Sequence, residues 1–90
     1  MTPRAINDAV APDDLVVLDP PRSGLAKGVA DALVRRSPRR MVYVSCDAAT
    51  LARDLVPLLA GGYELRDLKV FDLFPMTEHV ETVCVLDKRA

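Results

Sequence analysis

A chain of 90 residues is long enough for one small domain, and its formal net charge at pH 7 is −1. Half of the residues are hydrophobic and 28% are charged, which is the balance of a globular protein and excludes a disordered tail. A free-standing core of this size is expected to be marginal. The absence of net positive charge excludes a self-sufficient nucleic-acid-binding module, so any such binding needs charge on another segment or chain.

The two cysteines, Cys46 and Cys84, are too few for a disulfide framework and too far apart for a zinc or redox motif. No apolar run approaches the roughly 20 residues that span a bilayer, and no secretory signal opens the chain. We therefore expect a cytoplasmic protein with no metal site and no membrane partner.

The first half of the chain predicts a loop, a strand and a helix. Residues 1–13 are polar and are predicted to form a leading loop, which can include one helical turn. The apolar run Leu15–Leu18, closed by Asp-Pro-Pro, is typical of a strand buried on both faces of a parallel sheet. Helical spacing predicts a helix from Leu25 to Arg36, with Ser23 and Gly24 at its start and Ser37-Pro38 ending it.

The second half predicts one helix and three strands. Asp47 is expected to cap a helix that runs through Leu59, with a kink or a broken last turn at Pro57. The predicted strands are residues 41–44, 64–74 and 81–86. The last two strands, joined by the loop 75–79, can pair as an antiparallel hairpin, so residues 14–88 predict an α/β fold.

Three reactive side chains are predicted at one edge of this sheet. Asp19 and Cys46 follow successive strands, and Glu81 follows the last loop at the same end. Ligands of open α/β sheets gather beyond the carboxyl ends of the strands. We therefore expect the thiol and the two carboxylates to meet in a single cleft.

The two cysteines are predicted to have different roles. Cys46 begins a helix, and free helix N–H groups near its sulfur would favour the thiolate. The alternative is a buried cysteine that packs as a small hydrophobic residue, but the position at a strand end favours function. Cys84 alternates with Val83 and Val85 in a strand and is predicted to lie in the core.

The other candidates each have a structural alternative. Asp19 opens a rigid Asp-Pro-Pro turn that can face a flat ligand, or it can be satisfied by local N–H groups. Partial burial beside Val80 would help Glu81 to accept a proton near neutral pH, whereas an exposed glutamate would have no such role. His79 is either a substrate contact or a loop histidine. The remaining candidates form a cluster of basic residues that either contacts RNA phosphate or is a solvent-exposed helix end: Arg35, Arg36, Arg39 and Arg40.

Three segments together resemble the RNA uracil-5-methyltransferases. They are DPPRSGL at residues 19–25, VYVSCD at 42–47 leading into TLARDL at 50–55, and FDLFPMT at 71–77 followed by HVE at 79–81. The resemblance covers residues 14–88 in the family's order and spacing. It implies the C-terminal half of a class I methyltransferase (Rossmann-like) sheet, parallel with a final antiparallel strand.

The resemblance also implies a reaction, a cofactor and a substrate. Cys46 would be the nucleophile that attacks a uracil, Glu81 the general base, and Asp19 a contact of the methyl donor S-adenosyl-L-methionine. The product would be 5-methyluridine in rRNA or tRNA. Related RNA cytosine-5-methyltransferases place a cysteine where Arg22 stands, which argues against that activity.

Two departures from the family leave alternatives open. Ala48 occupies a position where the family commonly has proline, although the turn is expected to survive. The glycine-rich cofactor loop, the acidic residue that holds the ribose and an RNA-binding domain have no counterpart here. Residues 1–90 are therefore expected to be the C-terminal part of a catalytic domain, an incomplete fragment that is inactive alone.

Two other functions compete with this one. An inert methyltransferase-like remnant would serve as a binding or dimerisation module, and the exposed surface of a half-domain would favour its self-association. An amino-methylating enzyme acting on adenine or protein glutamine shares the Pro-Pro turn, but it does not need a nucleophilic cysteine paired with a glutamate.

Overall fold

The computed structural model describes residues 2–72 and 80–89, with residue 72 described by its backbone alone. The helices of this part of the chain are α1 (Pro3–Ala9), α2 (Val29–Arg36) and α3 (Ala48–Ala60). The strands are β1 (Leu15–Leu18), β2 (Arg40–Ser45), β3 (Tyr63–Asp72) and β4 (Val80–Lys88). None of these helices has the length and hydropathy needed to cross a membrane.

The four described strands form one sheet in the order β1-β2-β4-β3. β1 and β2 are parallel, and β4 lies between β2 and β3 and is antiparallel to both. The predicted α/β order and the antiparallel hairpin are confirmed. β3 begins one residue earlier than predicted, and the predicted residues 73 and 74 and the loop 75–79 lie outside the described residues.

The core lies between one face of the sheet and the helices. Alternate residues of a strand point to opposite faces. Met41, Tyr43, Cys84 and Leu86 point to the helices and are at most 1% exposed. The helices contribute Ile6, Val29, Ala32, Leu33, Leu51 and Leu58 to the same cluster. The prediction that Cys84 lies in the core is confirmed.

The opposite face of the sheet carries aliphatic residues that the described helices do not cover. Leu15 and Val17 of β1 are 50% and 57% exposed, so the prediction of a strand buried on both faces is wrong. The strand lies at the sheet edge, and the helices pack on one side only. We call this surface the aliphatic face. It consists of Leu15, Val17, Val42, Val44, Val83 and Val85.

One residue of β3 breaks the alternation of faces. Leu65 pairs with Leu86 and Asp67 pairs with Val85, so Arg66 is the extra residue of a β-bulge. Beyond the bulge, Leu68 lies opposite Cys84 and therefore on the helix side of the sheet. Leu68 is nevertheless 45% exposed.

The segment predicted as a leading loop instead contains α1. The Thr2 hydroxyl accepts a hydrogen bond from the Ala5 N–H at 3.1 Å, and Pro3 occupies the first turn, where its missing N–H has no cost. Ile6 and Val10, four residues apart, are both buried. Burial of this short apolar stripe, rather than any long periodicity, makes the segment helical.

Helix α2 begins four residues later than predicted. Its N-terminal cap is Gly28, whose φ of 84° is incompatible with a continuing right-handed helix. Ser23 and Gly24 are therefore not its caps, and Leu25 lies in the preceding turn. The predicted end is confirmed, because Ser37 adopts a left-handed conformation directly after Arg36.

Helix α3 agrees with its predicted start. The Asp47 carboxylate accepts hydrogen bonds from the N–H groups of Ala49 and Thr50 at 2.9 and 3.1 Å. Ala48 occupies the first helical position, so the turn survives without the family's proline, as expected. The helix continues through Pro57 to Ala60, so the predicted break in the last turn is not found.

An ion pair at the far end of the sheet should make stability depend on pH. Arg40 donates to both Asp87 oxygens at 2.5 and 3.0 Å, and this hydrogen bonding lowers the pKa of Asp87 from its ordinary 3.8. A carboxyl group with a lowered pKa in the fold stabilises the protein above its unfolded-state value, and the benefit is lost as the pH falls through the folded-state value.

We expect Asp87→Asn to lower the melting temperature at neutral pH and to flatten its decline on acidification below about pH 4. Circular dichroism melts between about pH 2 and 7 measure both effects. Arg40→Gln, which leaves Asp87 with its longer contact to Arg66 at 3.4 Å, should also lower the neutral melting temperature. An Asp87→Asn chain with the parental acid profile would contradict this role of the pair.

Candidate active site

Cys46 lies directly after β2 and directly before the cap of α3, and it is exposed. The backbone around it is fixed by the buried Ser45. The Ser45 hydroxyl donates to the Asp47 carbonyl at 2.8 Å and accepts from the Asp47 N–H at 3.1 Å. The thiol is therefore presented to solvent from a rigid turn at the carboxyl end of a strand.

Two N-terminal N–H groups of α3, those of Ala49 and Thr50, are bound by Asp47. The Asp47 carboxylate accepts from Ala49 and Thr50, and the Thr50 N–H bond is the main cause that lowers the pKa of Asp47. The positive charge of Arg22 lowers it further. The helix N–H groups predicted to lie beside the Cys46 thiol thus bind the carboxylate of the neighbouring Asp47. Arg22 supplies positive charge to this region.

A cavity of about 740 Å³ opens beside the thiol. Its lining residues are Arg22, Cys46, Asp47, Ala48, Ala49, Val80 and Thr82. Sequence reasoning did not assign Arg22 or Thr82 to the site. For Arg22, its place in the same motif as Asp19 was a signal that it lies near the site. Thr82 reaches the site only through its pairing with Ser45 across the β2–β4 ladder.

Asp19 is exposed after β1 but lines a different cavity, of about 750 Å³. Pro20, Pro21, Ser23 and Leu25 line it from the same turn, and Arg53 and Asp54 line it from α3. The expectation of a single cleft for the three predicted residues is therefore wrong for Asp19 and Cys46. The turn 19–25 contributes to both cavities, since Arg22 lines one and its neighbours line the other.

Glu81 lies at the predicted edge and is half-buried. It pairs with Phe71 of β3, and its neighbour Thr82 pairs with Ser45, so Glu81 is close to Cys46 along the sheet edge. Strand alternation places its side chain on the face of Val83 and not on the face of Thr82. Glu81 does not line either of the two cavities.

The other candidates lie elsewhere. His79 is outside the described residues. The basic cluster lies around the start of β2, at the end of the sheet opposite Cys46. Two of its members make intramolecular contacts: Arg36 donates to the Val10 carbonyl at 2.7 Å, and Arg40 pairs with Asp87. Arg35 and Arg39 are exposed, which agrees with a solvated helix end.

Two solved structures share this fold. The chain superposes with a TM-score of 0.66 and 14% identity on a structure of M1.HpyAVI in complex with SAM, covering 96% of this chain and 49% of that one. A second match is the Pyrococcus abyssi tRNA (uracil-54, C5)-methyltransferase in complex with S-adenosyl-L-homocysteine. Its TM-score is 0.74 and its identity 39%, over 89% of this chain and 20% of that one.

Sequence comparison gives the family. The profile described as tRNA (Uracil-5-)-methyltransferase matches residues 10–89, and the chain belongs to this family. An RNA methyltransferase of Streptomyces avermitilis is 53% identical over 77 residues, which are 86% of this chain and 18% of the relative. One of Enterococcus faecalis is 44% identical over 88 residues, 98% of this chain and 19% of the relative. The chain thus spans about a fifth of the length of these relatives.

The different environments of the two thiols can be tested by alkylation. Cys46 is exposed, whereas Cys84 is fully buried and burial raises the pKa of its thiol. We expect iodoacetamide to add one group per native chain and two per chain in urea, as read by intact mass. A Cys46→Ser chain should gain none in the native state. Two rapid additions to the native chain would contradict the packing of Cys84.

Proposed function

We propose that this chain carries the nucleophile of an S-adenosylmethionine-dependent RNA methyltransferase that forms 5-methyluridine in tRNA or rRNA. One observation carries the proposal: in a member of the uracil-5-methyltransferase family, the exposed Cys46 thiol opens into a cavity at the carboxyl end of β2. A structural Cys46 would be expected in the core, where Cys84 lies.

The residues around Asp19 fit the methyl donor. Asp19 presents an exposed carboxylate at a cavity of about 750 Å³, within the range that holds small-molecule ligands. Pro20 and Pro21 add apolar walls without N–H groups, and the Pro21 carbonyl accepts from the Gly24 N–H at 2.8 Å within the turn. The proposed role of Asp19 is to hold an amino or hydroxyl group of S-adenosyl-L-methionine, which supplies an electrophilic methyl group when bound.

The proposed chemistry begins at Cys46. Carbon 5 of uracil is too weak a nucleophile to accept a methyl group unaided. The Cys46 thiolate adds to carbon 6, which moves an electron pair towards carbon 5 and the adjacent carbonyl oxygen. Arg22, in the same cavity, supplies positive charge where the ring becomes negative. Carbon 5 would then take the methyl group that S-adenosyl-L-methionine supplies, as the methyl–sulfur bond breaks and S-adenosyl-L-homocysteine is left.

Glu81 completes the proposed reaction. Its carboxylate takes the proton from carbon 5, the double bond re-forms, and the bond between sulfur and carbon 6 breaks to release the thiolate. The support for this role is its place at the sheet edge beside the strand pair Ser45–Thr82. A stacked or paired base is out of reach of the thiol, so the target uridine must be unpaired or flipped out.

The sheet order supports a finer assignment of the fold. Strand β4 runs antiparallel between β2 and β3, and β1 and β2 are parallel to each other. This order fits the C-terminal half of a class I, Rossmann-like methyltransferase sheet. We assign residues 1–90 to the C-terminal part of a catalytic domain and place the protein in the cytoplasm. The 90 residues alone are expected not to turn over, because nothing in them matches the family's glycine-rich cofactor loop.

Substitution of Cys46 and Glu81 tests this reaction in the full-length protein. Cys46→Ala should abolish methyl transfer from labelled S-adenosylmethionine to uridine-containing RNA and the covalent adduct with 5-fluorouridine RNA. Glu81→Gln should slow turnover by at least about 100-fold, the lower range for loss of an acid–base group, and accumulate a methylated protein–RNA adduct. Cys84→Ala is the control for loss of a thiol and should keep the adduct. An adduct that persists in Cys46→Ala excludes that nucleophile.

A second function, self-association, is favoured by the aliphatic face. Val17, Val42 and Val85 lie side by side across three strands, and β1 is an edge strand of the sheet that the described residues form. Contiguous apolar surface of this kind, next to the free edge of a strand, is typical of an interaction site. We propose that the isolated chain covers this face with a second copy of itself.

Light scattering on the 90-residue chain tests this association. We expect a dimer or larger species at tens of micromolar, and Val17→Glu should shift it to the monomer because a buried unpaired charge is costly. Val56→Glu adds the same charge to the exposed outer side of α3 and should leave the mass unchanged. A monomeric parental chain at this concentration would refute self-association through the aliphatic face.

A further inference from the structure

The turn formed by residues 19–25 determines how the two cavities are arranged. It carries the Asp19 carboxylate on one side and the Arg22 guanidinium on the other. Within the turn, the Gly24 N–H donates to the Pro21 carbonyl at 2.8 Å. Its other polar backbone groups need partners from outside the turn. The position of both charged groups relative to Cys46 therefore depends on what binds this turn.

One face of helix α3 binds it at three points. Thr50, Arg53 and Asp54 are spaced i, i+3 and i+4, so they project from the same side of the helix. Each makes a hydrogen bond with the backbone of the turn. The bonds run from Thr50 Oγ1 to the Arg22 carbonyl at 3.0 Å, from Arg53 Nη2 to the Ser23 carbonyl at 2.6 Å, and from the Leu25 N–H to Asp54 Oδ2 at 2.8 Å.

Asp54 is the buried anchor of this arrangement. Its side chain is 7% exposed, and Arg53 pairs with it at 3.2 Å. The Tyr43 hydroxyl of β2 donates to the same carboxylate at 2.5 Å. Burial, with the hydrogen bond to Asp54 as a second cause, raises the pKa of Tyr43, so the phenol stays a donor. The turn is thus connected through α3 to the strand that carries Cys46.

Gly24 shows how closely the turn approaches the helix. Its φ is 87°, and a Cβ atom at this position would lie 2.6 Å from Asp54 Oδ2 and would overlap the Arg53 guanidinium. No larger residue fits without displacing these groups, and a left-handed conformation is strained for any residue with a side chain. The close approach of the turn to α3 therefore depends on glycine at position 24 and on the Arg53 and Asp54 side chains.

We propose that Thr50, Arg53 and Asp54 form a clamp that positions Asp19 and Arg22 relative to Cys46. The clamp acts on the site through the backbone of the turn, so its members are positioning residues. This inference rests on the proposed function for its effect on methyl transfer, whereas its effect on the turn stands independently. Binding of S-adenosyl-L-methionine therefore depends on side chains of α3, and the nucleophile Cys46 lies just before the start of the same helix.

Hydrogen exchange tests the structural part of the clamp in the chain itself. Thr50→Val removes the hydroxyl that donates to the Arg22 carbonyl and, at 3.1 Å, to the Asp47 carbonyl. Arg53→Met removes the bond to the Ser23 carbonyl together with the pairing to Asp54, and both variants keep side-chain bulk. Both should speed exchange of the Gly24 and Leu25 amide protons on the order of tenfold, measured by NMR. Thr50→Ser keeps the hydroxyl and should restore slow exchange, and Val56→Ala on the exposed side of α3 should not change it. Unchanged exchange in both loss variants overturns the clamp.

Steady-state kinetics test its effect on the reaction in the full-length protein. Thr50→Val and Arg53→Met should raise KM for S-adenosylmethionine several-fold with little change in kcat, and Thr50→Ser should restore KM. A general loss of folded protein would instead lower kcat and leave KM unchanged. Faster exchange with an unchanged KM overturns the positioning role. If the parental protein does not methylate uridine, the proposed function fails, and the exchange result alone decides whether the clamp exists.

Discussion

The antiparallel pairing of β4 with β2 is the constraint on which the rest of the structure depends. It brings the last strand between two earlier ones and aligns Thr82 with Ser45, so the start of β4 lies beside the end of β2. Cys84 and Leu86 then face the helices and complete the core. Without this pairing, β2 would be an edge strand with Cys46 after its last residue, and the position of Glu81 relative to Cys46 would not be fixed.

Helix α3 connects the core to the site. Its buried side contributes Leu51 and Leu58 to packing, its capped start holds the turn of Cys46, and its polar side holds the turn after β1. One capped helix therefore sets the positions of two strand ends. A change that shifts α3 along the sheet would alter both cavities together, so stability and the proposed chemistry are coupled through this element.

Much of the fold could be predicted, because the apolar runs and the Asp47 cap are local signals. The misplaced start of α2 is different: Leu25 has helical spacing, but its N–H binds the distant Asp54, and Gly28 is left-handed. Exposure of Val17 could not be predicted from a short apolar run, since burial depends on which elements cover the sheet. At the site, the sequence predicted Asp19, Cys46 and Glu81 at one edge of the sheet. It could not reveal that residues 19–25 line two different cavities.

The bulge in β3 has a consequence for how this sequence tolerates changes in length. Because Arg66 is the extra residue, the charged Asp67 and Lys69 fall on one side of the strand, and Leu68 and Val70 fall on the other. Deleting Arg66 itself would remove the bulge and leave both sets on their present sides, whereas deleting a residue beyond it would exchange the two sets of side chains. Insertions and deletions in the strand beyond Arg66 should therefore be far rarer among functional descendants than point substitutions.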